Sequence, residues 1–325
     1  SGFRISDSEI SLSRTFEHKL GYYYIQESAS MLPVELFDFT GIDRPLVLDM
    51  AASPGGKTTH IIDRTGDQGL VIANDASRSR IPALKFVLQN WGTINQAITC
   101  LPGEWFGGAY PNQFDAVLLD APCSMQGLQV TATHRARKIT ESEIQTLAER
   151  QINLLKSALQ AVKPGGQVVY STCTLSPLED EHVLETILQR FSGQVEVVDI
   201  QEKLSAPAPG LPKFSGVQFH PQVQRAARLW PHIFGTAGFF CAKLIKKGEL
   251  GPGANAYPET LLSAENVNPV SDPDHNLIVH TLLENYGFEL EDLLDKQDLY
   301  LARTGRDAYL HPGQLSNRLP GFSVQ

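Results

Sequence analysis

The chain has 325 residues, is 42% hydrophobic and carries a formal net charge of −9, which is ample apolar material for one large or two modest domains with a real core. That charge argues against a simple nucleic-acid binder, but it is uneven. Residues 251–325 hold 11 acidic and 4 basic side chains, which leaves 25 acidic against 23 basic in the rest, so the body is near neutral and able to present a basic face. No apolar run is long enough to span a bilayer and no basic-then-apolar leader opens the sequence, so a cytoplasmic protein without membrane contact is expected. The cysteines Cys100, Cys123, Cys173 and Cys241 are too few and too scattered for a disulfide framework or a CxxC zinc site, and no metal is expected.

Residues 1–44 read as an N-terminal cap centred on Gly21-Tyr-Tyr-Tyr-Ile-Gln-Glu-Ser-Ala-Ser-Met-Leu-Pro33, a tyrosine-rich run whose plain reading is packing. Pro45-Leu-Val-Leu48 is a short apolar run of the buried parallel-strand kind, and Thr58-Thr-His-Ile-Ile62 has helix character. Between them, Asp49-Met-Ala-Ala-Ser-Pro-Gly-Gly-Lys57 is a strand-to-helix turn. Small residues and glycines there let the backbone approach a ligand, and the helix start offers unpaired N–H groups. Neither the dinucleotide Gly-x-Gly-x-x-Gly spacing nor a P-loop is present. A ligand-binding turn and an ordinary tight connection fit this segment equally well.

Leu70-Val-Ile-Ala73 is a second strand that ends at Asn74-Asp75, which places Asp75 to accept hydrogen bonds from ribose hydroxyls. Ser77 to Gln89 reads as a helix with Ile81, Leu84 and Leu88 on one face. Ala97–Leu101 is a third strand, and Phe114–Leu119 a fourth that closes on Asp120-Ala-Pro-Cys123. Glu141 to Val162 is a long amphipathic helix stopped by Lys163-Pro-Gly-Gly166. Gln167–Tyr170 is a fifth strand that ends in Ser171-Thr-Cys-Thr174.

Strand and helix alternate, which predicts an α/β fold with a doubly wound, mostly parallel sheet whose ligands bind beyond the carboxyl ends of the strands. The glycine turn, Asp75, Asp120, Cys123 and Cys173 would gather at that rim, whereas Cys100 and Cys241 sit in apolar strand-like runs and read as core. Val195–Asp199 and Gly238–Ile245 are two last strands, separated by a Pro/Gly-rich excursion over 205–236 that carries Arg225, Arg228, Trp230 and His232. Lys246-Lys-Gly-Glu-Leu-Gly-Pro-Gly253 reads as a linker. The expected division is therefore a cap over 1–44, a catalytic domain over 45–247 and a small module over 254–325, with Asn276–Tyr286 a helix.

Six segments in order carry a resemblance to a known family: Tyr24-Ile-Gln-Glu-Ser-Ala-Ser-Met-Leu-Pro33, Asp49–Thr58, Asn74-Asp75 with Arg80, Asp120-Ala-Pro-Cys-Ser124, Tyr170-Ser-Thr-Cys-Thr174 and Arg228-Leu-Trp-Pro-His232. Over about residues 20–245 the chain resembles the RNA cytosine-C5 methyltransferases of the Fmu/Sun (Nol/Nop/Sun) group, and among them the bacterial RsmF-type enzymes that modify 16S rRNA. The resemblance implies a Rossmann-like class I methyltransferase fold with a final antiparallel strand, acting as a monomer on rRNA, free or within a ribosomal subunit. It implies S-adenosylmethionine across Ala51, Ala52, Ser53, Pro54, Gly55, Gly56 and Lys57, with Asp75 on the ribose, Arg80 supporting that end and Asp120 near the reactive part.

It also implies that the Thr-Cys thiol, Cys173, attacks the ring and that the Pro-Cys thiol, Cys123, assists release. Related DNA enzymes use the Pro-Cys thiol as nucleophile, so these roles rest on the resemblance and not on spacing. Two departures stand out. Leu101-Pro-Gly-Glu-Trp105 replaces the usual adenine-contacting segment, leaving Glu104 or a backbone group for that task. Downstream of the Pro-Cys motif, the cluster His134, Arg135, Arg137 and Lys138 stands where the family has a different basic segment; it would hold phosphate or be solvated surface. The tail beyond 253 resembles the start of an RNA-binding appendage, although its acidity suits docking on the body or spacing equally. A tRNA substrate, a silent RNA-binding scaffold and a nicotinamide-dependent dehydrogenase are the competing readings.

Overall fold

The computed structural model describes residues 2–3, 5, 11–128, 138–251, 268–304 and 307–319. The cap contains the short helices α1 (Phe16–Lys19) and α2 (Leu32–Glu35). There follow β1 (Leu46–Asp49), α3 (Gly56–Thr65), β2 (Leu70–Asn74), α4 (Ile81–Trp91), β3 (Gln96–Thr99), α5 (Phe106–Ala109) and β4 (Phe114–Asp120). Next in the chain come α6 (Glu141–Ala161), β5 (Val162–Thr172), α7 (Glu181–Arg190) and β6 (Val195–Val198). The excursion holds a two-stranded hairpin, β7 (Lys213–Phe214) and β8 (Val217–Gln218), then β9 (Ala227–Leu229) and α8 (Pro231–Phe234), and leads to β10 (Phe239–Lys246).

The sheet order is β3-β2-β1-β4-β5-β10-β6, with β9 also paired to β10. From β3 to β5 every pair is parallel, whereas β10 runs antiparallel to β5, β6 and β9. The last long strand thus inserts between β5 and β6. Alternation along the strands sends side chains into two cores. Leu46, Leu48, Ile72, Val117, Leu119, Val168, Tyr170 and Phe240 face α6 and α7. Val47, Val71, Ala73, Leu118, Val169 and Cys241 face α2, α3 and α4. Such burial on both faces is what an unbroken apolar run in a strand requires.

Two boundaries differ from the sequence reading. The helix expected from Ser77 begins at Ile81, because the Asp75 carboxylate accepts the Ser77 N–H at 2.9 Å and holds a turn there. Lys163-Pro-Gly-Gly166 does end α6, yet it belongs to β5: Val162 pairs with Phe114 and Gln167 with Ala116, so the four residues bulge between paired positions. The start of α6 follows its sequence signal, since Thr140 Oγ1 accepts the Glu143 N–H while the Glu143 carboxylate accepts the Thr140 N–H at 2.8 Å. Cys241 is buried as expected, whereas Cys100 lies just past β3 and is half-buried.

The C-terminal segment forms β11 (Asn268–Pro269), α9 (Asp272–Tyr286), α10 (Leu290–Gln297), β12 (Leu299–Thr304), β13 (Asp307–Pro312) and α11 (Gly313–Arg318), with the three strands in one antiparallel sheet. It docks on the body. Ile94 packs into its apolar cluster, Asn95 Nδ2 donates to Gln297 Oε1 at 2.9 Å, and an Arg44 guanidinium N–H donates to the Lys296 carbonyl at 3.1 Å. Among the described residues no helix is long and apolar enough to cross a membrane.

β9 is fastened to the start of α7 by an ion pair. Arg228, 1% exposed, lies 3.1 Å from Asp180 and 3.5 Å from Glu181, donates to the Leu175 carbonyl and has the Trp230 ring 5.0 Å away. Removing one partner of such a group leaves uncompensated buried charge, so Arg228→Ala is expected to cost about 3–5 kcal/mol. Burial and the neighbouring acids already hold Asp180 well above the usual carboxylate range, and without the guanidinium both carboxyls take up protons more readily. The loss should therefore shrink as pH falls; urea denaturation of both proteins at neutral and acid pH measures it.

Candidate active site

The carboxyl ends of β1, β2, β4 and β5 stand at one level. The Met50 N–H donates to the Leu118 carbonyl at 2.9 Å and the Ala121 N–H to the Ser171 carbonyl at 2.8 Å. Buried Asn74 ties three strand ends together: its amide donates to the Met50 and Leu101 carbonyls, and its oxygen accepts from Thr99 Oγ1 and the Leu101 N–H. At that rim the glycine turn enters α3. Gly55 has φ +116°, and a Cβ there would lie 2.9 Å from Val87; a Cβ on Gly56 would lie 2.5 Å from the Tyr24 ring. Both positions need glycine, one for its backbone and one for the close approach of the cap.

A solvent-open cleft of about 230 Å³ lies against this turn. Of the residues the sequence singles out, Ala51, Ala52, Ser53, Pro54, Gly56, Lys57 and Asp120 line it, together with Asp49. Gly55 faces α4 instead. Asp75 is buried behind Ser53; its carboxylate accepts the Ser53 N–H at 3.3 Å and the Ser77 N–H and pairs with Arg80 at 3.2 Å, while Arg80 also donates to the Ser53 carbonyl. Glu104 pairs with Arg150 of α6 at 3.4 Å. Of the basic cluster, His134, Arg135 and Arg137 lie outside the described residues, and Lys138 is exposed.

Charge is concentrated on the inner wall. Lys57 Nζ donates to Asp120 at 2.7 Å, and the other Asp120 oxygen accepts from Ser171 Oγ at 2.7 Å. Burial pulls the Lys57 ammonium down, but Asp120 more than offsets this and its pKa lies above the ordinary value. Next to this pair the Cys123 and Cys173 sulfurs are 3.2 Å apart, both half-buried. The hydrogen bond between them divides their acidities. It holds Cys173 below the ordinary thiol range, helped by Lys57, and pushes Cys123 well above it, together with burial. The pair can therefore share a proton with the charge on Cys173.

Several residues of the site have no local signature. Tyr24, Ile25, Gln26, Glu27 and Ser30 of the cap form the opposite wall of the cleft; their order in the cap segment was their only sequence signal. Glu27 also accepts the Ala237 N–H at 3.1 Å, which joins the cap to the approach to β10. Glu179, Asp180 and Glu181 are fully buried behind the thiols. Glu179 and Asp180 lie just before α7 and Glu181 opens it, where acidic residues read as ordinary charges at a helix start.

Asp49 is fully buried, with one oxygen accepting from Thr58 Oγ1 at 2.7 Å and the other, among the described residues, without a hydrogen-bond partner. Burial pushes its pKa up to about 7, the Thr58 hydrogen bond opposing. In the unfolded chain the group titrates near about 3.9, so between these values the folded protein keeps a proton that the unfolded chain has lost. This contribution to stability is complete below the unfolded value and is lost as pH rises through about 7. Asp49→Asn should remove that loss and flatten the stability profile over this window. Thermal melts of the ligand-free protein across the same pH range test it, and an unchanged slope would contradict the assignment.

The family model for the 16S rRNA methyltransferase RsmB/F matches residues 41–245. Ribosomal RNA small subunit methyltransferase F of Erwinia tasmaniensis is 39% identical over 255 residues, 77% of this chain and 51% of that protein. The protein of the same name from Klebsiella pneumoniae is 36% identical, over 77% of this chain and 50% of its own length. The chain thus spans about half the length of these curated relatives. Among solved structures, a methyltransferase homologue from Pyrococcus horikoshii superposes with TM-score 0.64 at 33% identity, covering 74% of this chain and 73% of its own. NSun6 of Pyrococcus horikoshii, solved with SFG, gives 0.60 at 29% identity, covering 74% and 57%. With more than half of its residues inside the matched region, and the glycine turn, Asp120 and both thiols among them, the chain belongs to the 16S rRNA methyltransferase RsmB/F family.

Proposed function

We propose that the chain transfers a methyl group from S-adenosylmethionine to carbon 5 of a cytosine in 16S rRNA, through a covalent bond to Cys173 with Cys123 assisting release. The observation that carries this reading is the pair of thiols 3.2 Å apart beside the Lys57–Asp120 pair, whose two residues line a polar cleft. The relatives' names, which specify small-subunit rRNA, support the substrate class. A cytoplasmic monomer acting on rRNA, free or within a ribosomal subunit, completes the proposal.

The cleft fits the cofactor. Its wall from Ala51 to Lys57 is small and rich in backbone polar groups, and the unpartnered Asp49 oxygen is an acceptor placed for a cationic amino group. NSun6, solved with SFG, an analogue of S-adenosylmethionine, shares the fold. Ala51 to Lys57 with Asp49 would hold the cofactor, and Asp75 with Arg80 would support its ribose end. When bound, S-adenosylmethionine supplies an electrophilic methyl group.

Carbon 5 of cytosine is too weak a nucleophile to accept that group unaided, which is why a thiolate is needed. Cys173, kept acidic by Cys123 and Lys57, adds through sulfur to carbon 6, and the displaced ring electrons make carbon 5 nucleophilic. Asp120, held by Lys57 and Ser171, would hydrogen-bond the exocyclic amine and ring nitrogen. After methylation the carbon 5 proton must leave to a base and the sulfur–carbon bond must break, its electron pair returning to Cys173. Cys123, with its proton retained, stands where that release occurs.

Asp75→Ala should weaken cofactor binding by roughly 1.5–3 kcal/mol, about ten- to a hundredfold; titration with S-adenosylhomocysteine measures it, and unchanged affinity would remove Asp75 from the cofactor site. Cys173→Ala should yield neither methylated RNA nor a covalent complex. Cys123→Ala should accumulate a cofactor-dependent protein–RNA adduct that survives denaturing electrophoresis. The reverse pattern would make the Pro-Cys thiol the nucleophile, and methylation intact in both variants would end the covalent reading.

A further inference from the structure

The short distance between the two thiols needs a cause, because they lie on different loops, 50 residues apart in sequence. A buried carboxylate ties those loops together. Glu179 is fully buried. One of its oxygens accepts the Ser124 N–H at 2.8 Å and the Gln151 amide at 3.1 Å; the other accepts the Ser124 hydroxyl at 2.5 Å. Gln151, on α6, also donates to the Pro122 carbonyl at 2.9 Å, so the residues on both sides of Cys123 are fixed.

The same assembly reaches the other thiol. Ser124 Oγ lies 2.9 Å from Thr174 Oγ1, next to Cys173, and the Gly127 N–H donates to the Cys173 carbonyl at 3.0 Å. Glu179 itself is anchored from β5, where the Tyr170 hydroxyl donates to its backbone carbonyl. A buried carboxylate that accepts three hydrogen bonds holds its partners more tightly than a neutral acceptor does. Neighbouring Asp180 and Glu181 are engaged by Arg228, and Asp180 also accepts from Thr172 Oγ1 at 2.6 Å on the Cys173 side; Glu179 is the acid of this run that bonds the Cys123 loop.

We infer that Glu179 is a positioning residue that sets the Cys123–Cys173 distance through Ser124 and Gln151, and so keeps Cys173 nucleophilic. This rests on the proposed thiol chemistry only for its consequence; the geometric claim is tested on the thiols alone. In the full reduced chain, two readouts need neither RNA nor cofactor. One is the pH dependence of Cys173 alkylation by iodoacetamide, followed on the Cys173 peptide by mass spectrometry. The other is the rate of Cys123–Cys173 disulfide formation with diamide, whose azo group takes up the two protons and two electrons that the thiols lose.

Glu179→Ala should raise the alkylation midpoint by about one pH unit and slow disulfide formation at least roughly tenfold. Glu179→Gln and Ser124→Ala, each of which keeps part of the network, should fall between it and the wild type. In a Cys123→Ala background Glu179→Ala should move the midpoint no further, because the bond it positions is already gone; a merely structural role would add its own shift. An unchanged midpoint and disulfide rate in folded Glu179→Ala would overturn the inference. If that variant does not fold, unchanged values in both Glu179→Gln and Ser124→Ala would do so. A wild-type chain that forms the disulfide rapidly yet methylates no RNA would sink the proposed function and leave this inference standing.

Discussion

The parallel register of β1, β4 and β5 is the constraint on which the rest of the site depends. Asp49 ends one strand, Asp120 the next and Ser171-Thr172 the third, and backbone bonds from Met50 to Leu118 and from Ala121 to Ser171 hold them level. A shift of β5 by a single residue would turn its side chains to the other face. Ser171 would then no longer meet Asp120, and Cys173 would leave the position opposite Cys123. The antiparallel insertion of β10 beside β5 covers what would otherwise be an open edge at the most functional strand of the sheet.

Onto this frame the chain loads more buried acid than base. Around Lys57 and the thiols, Asp49, Glu179, Asp180 and Glu181 are buried and Asp120 is partly so, with Lys57 and Arg228 as cations; Asp75, Glu185 and Lys246 are buried elsewhere. Each is handled differently. Asp120 is neutralised by Lys57, Glu179 is satisfied by three donors, Asp180 and Glu181 share one guanidinium, and Asp49 is left with a single donor and a raised pKa. The least compensated of these carboxyls, Asp49, lines the cleft beside Asp120, which is where a cationic ligand would supply what the protein withholds.

The thiols follow the same economy of position. The largest influence on the acidity of Cys173 is its hydrogen bond with Cys123, with Lys57 assisting. Two identical side chains thus acquire different acidities from their surroundings, on loops joined by Ser124, Thr174 and Gln151.

Much of this was legible in the sequence. Apolar runs located β1, β2, β4 and the core of β5, because burial on both faces leaves a continuous hydrophobic signature that depends on local order alone. The amphipathic pattern from Glu141 located α6, and the residues at strand ends, Asp120, Cys123 and Cys173, could be placed on one rim because parallel strands share a direction. What sequence could not supply were contacts whose partners lie far apart in the chain: Tyr24 against Gly56, Glu179 with Ser124, Arg228 with Asp180, and the docking of the C-terminal segment through Ile94 and Asn95. Patterning fixes which face a residue presents. Only strand order, register and the path of the loops decide what that face meets, and the distance between the two thiols is set there.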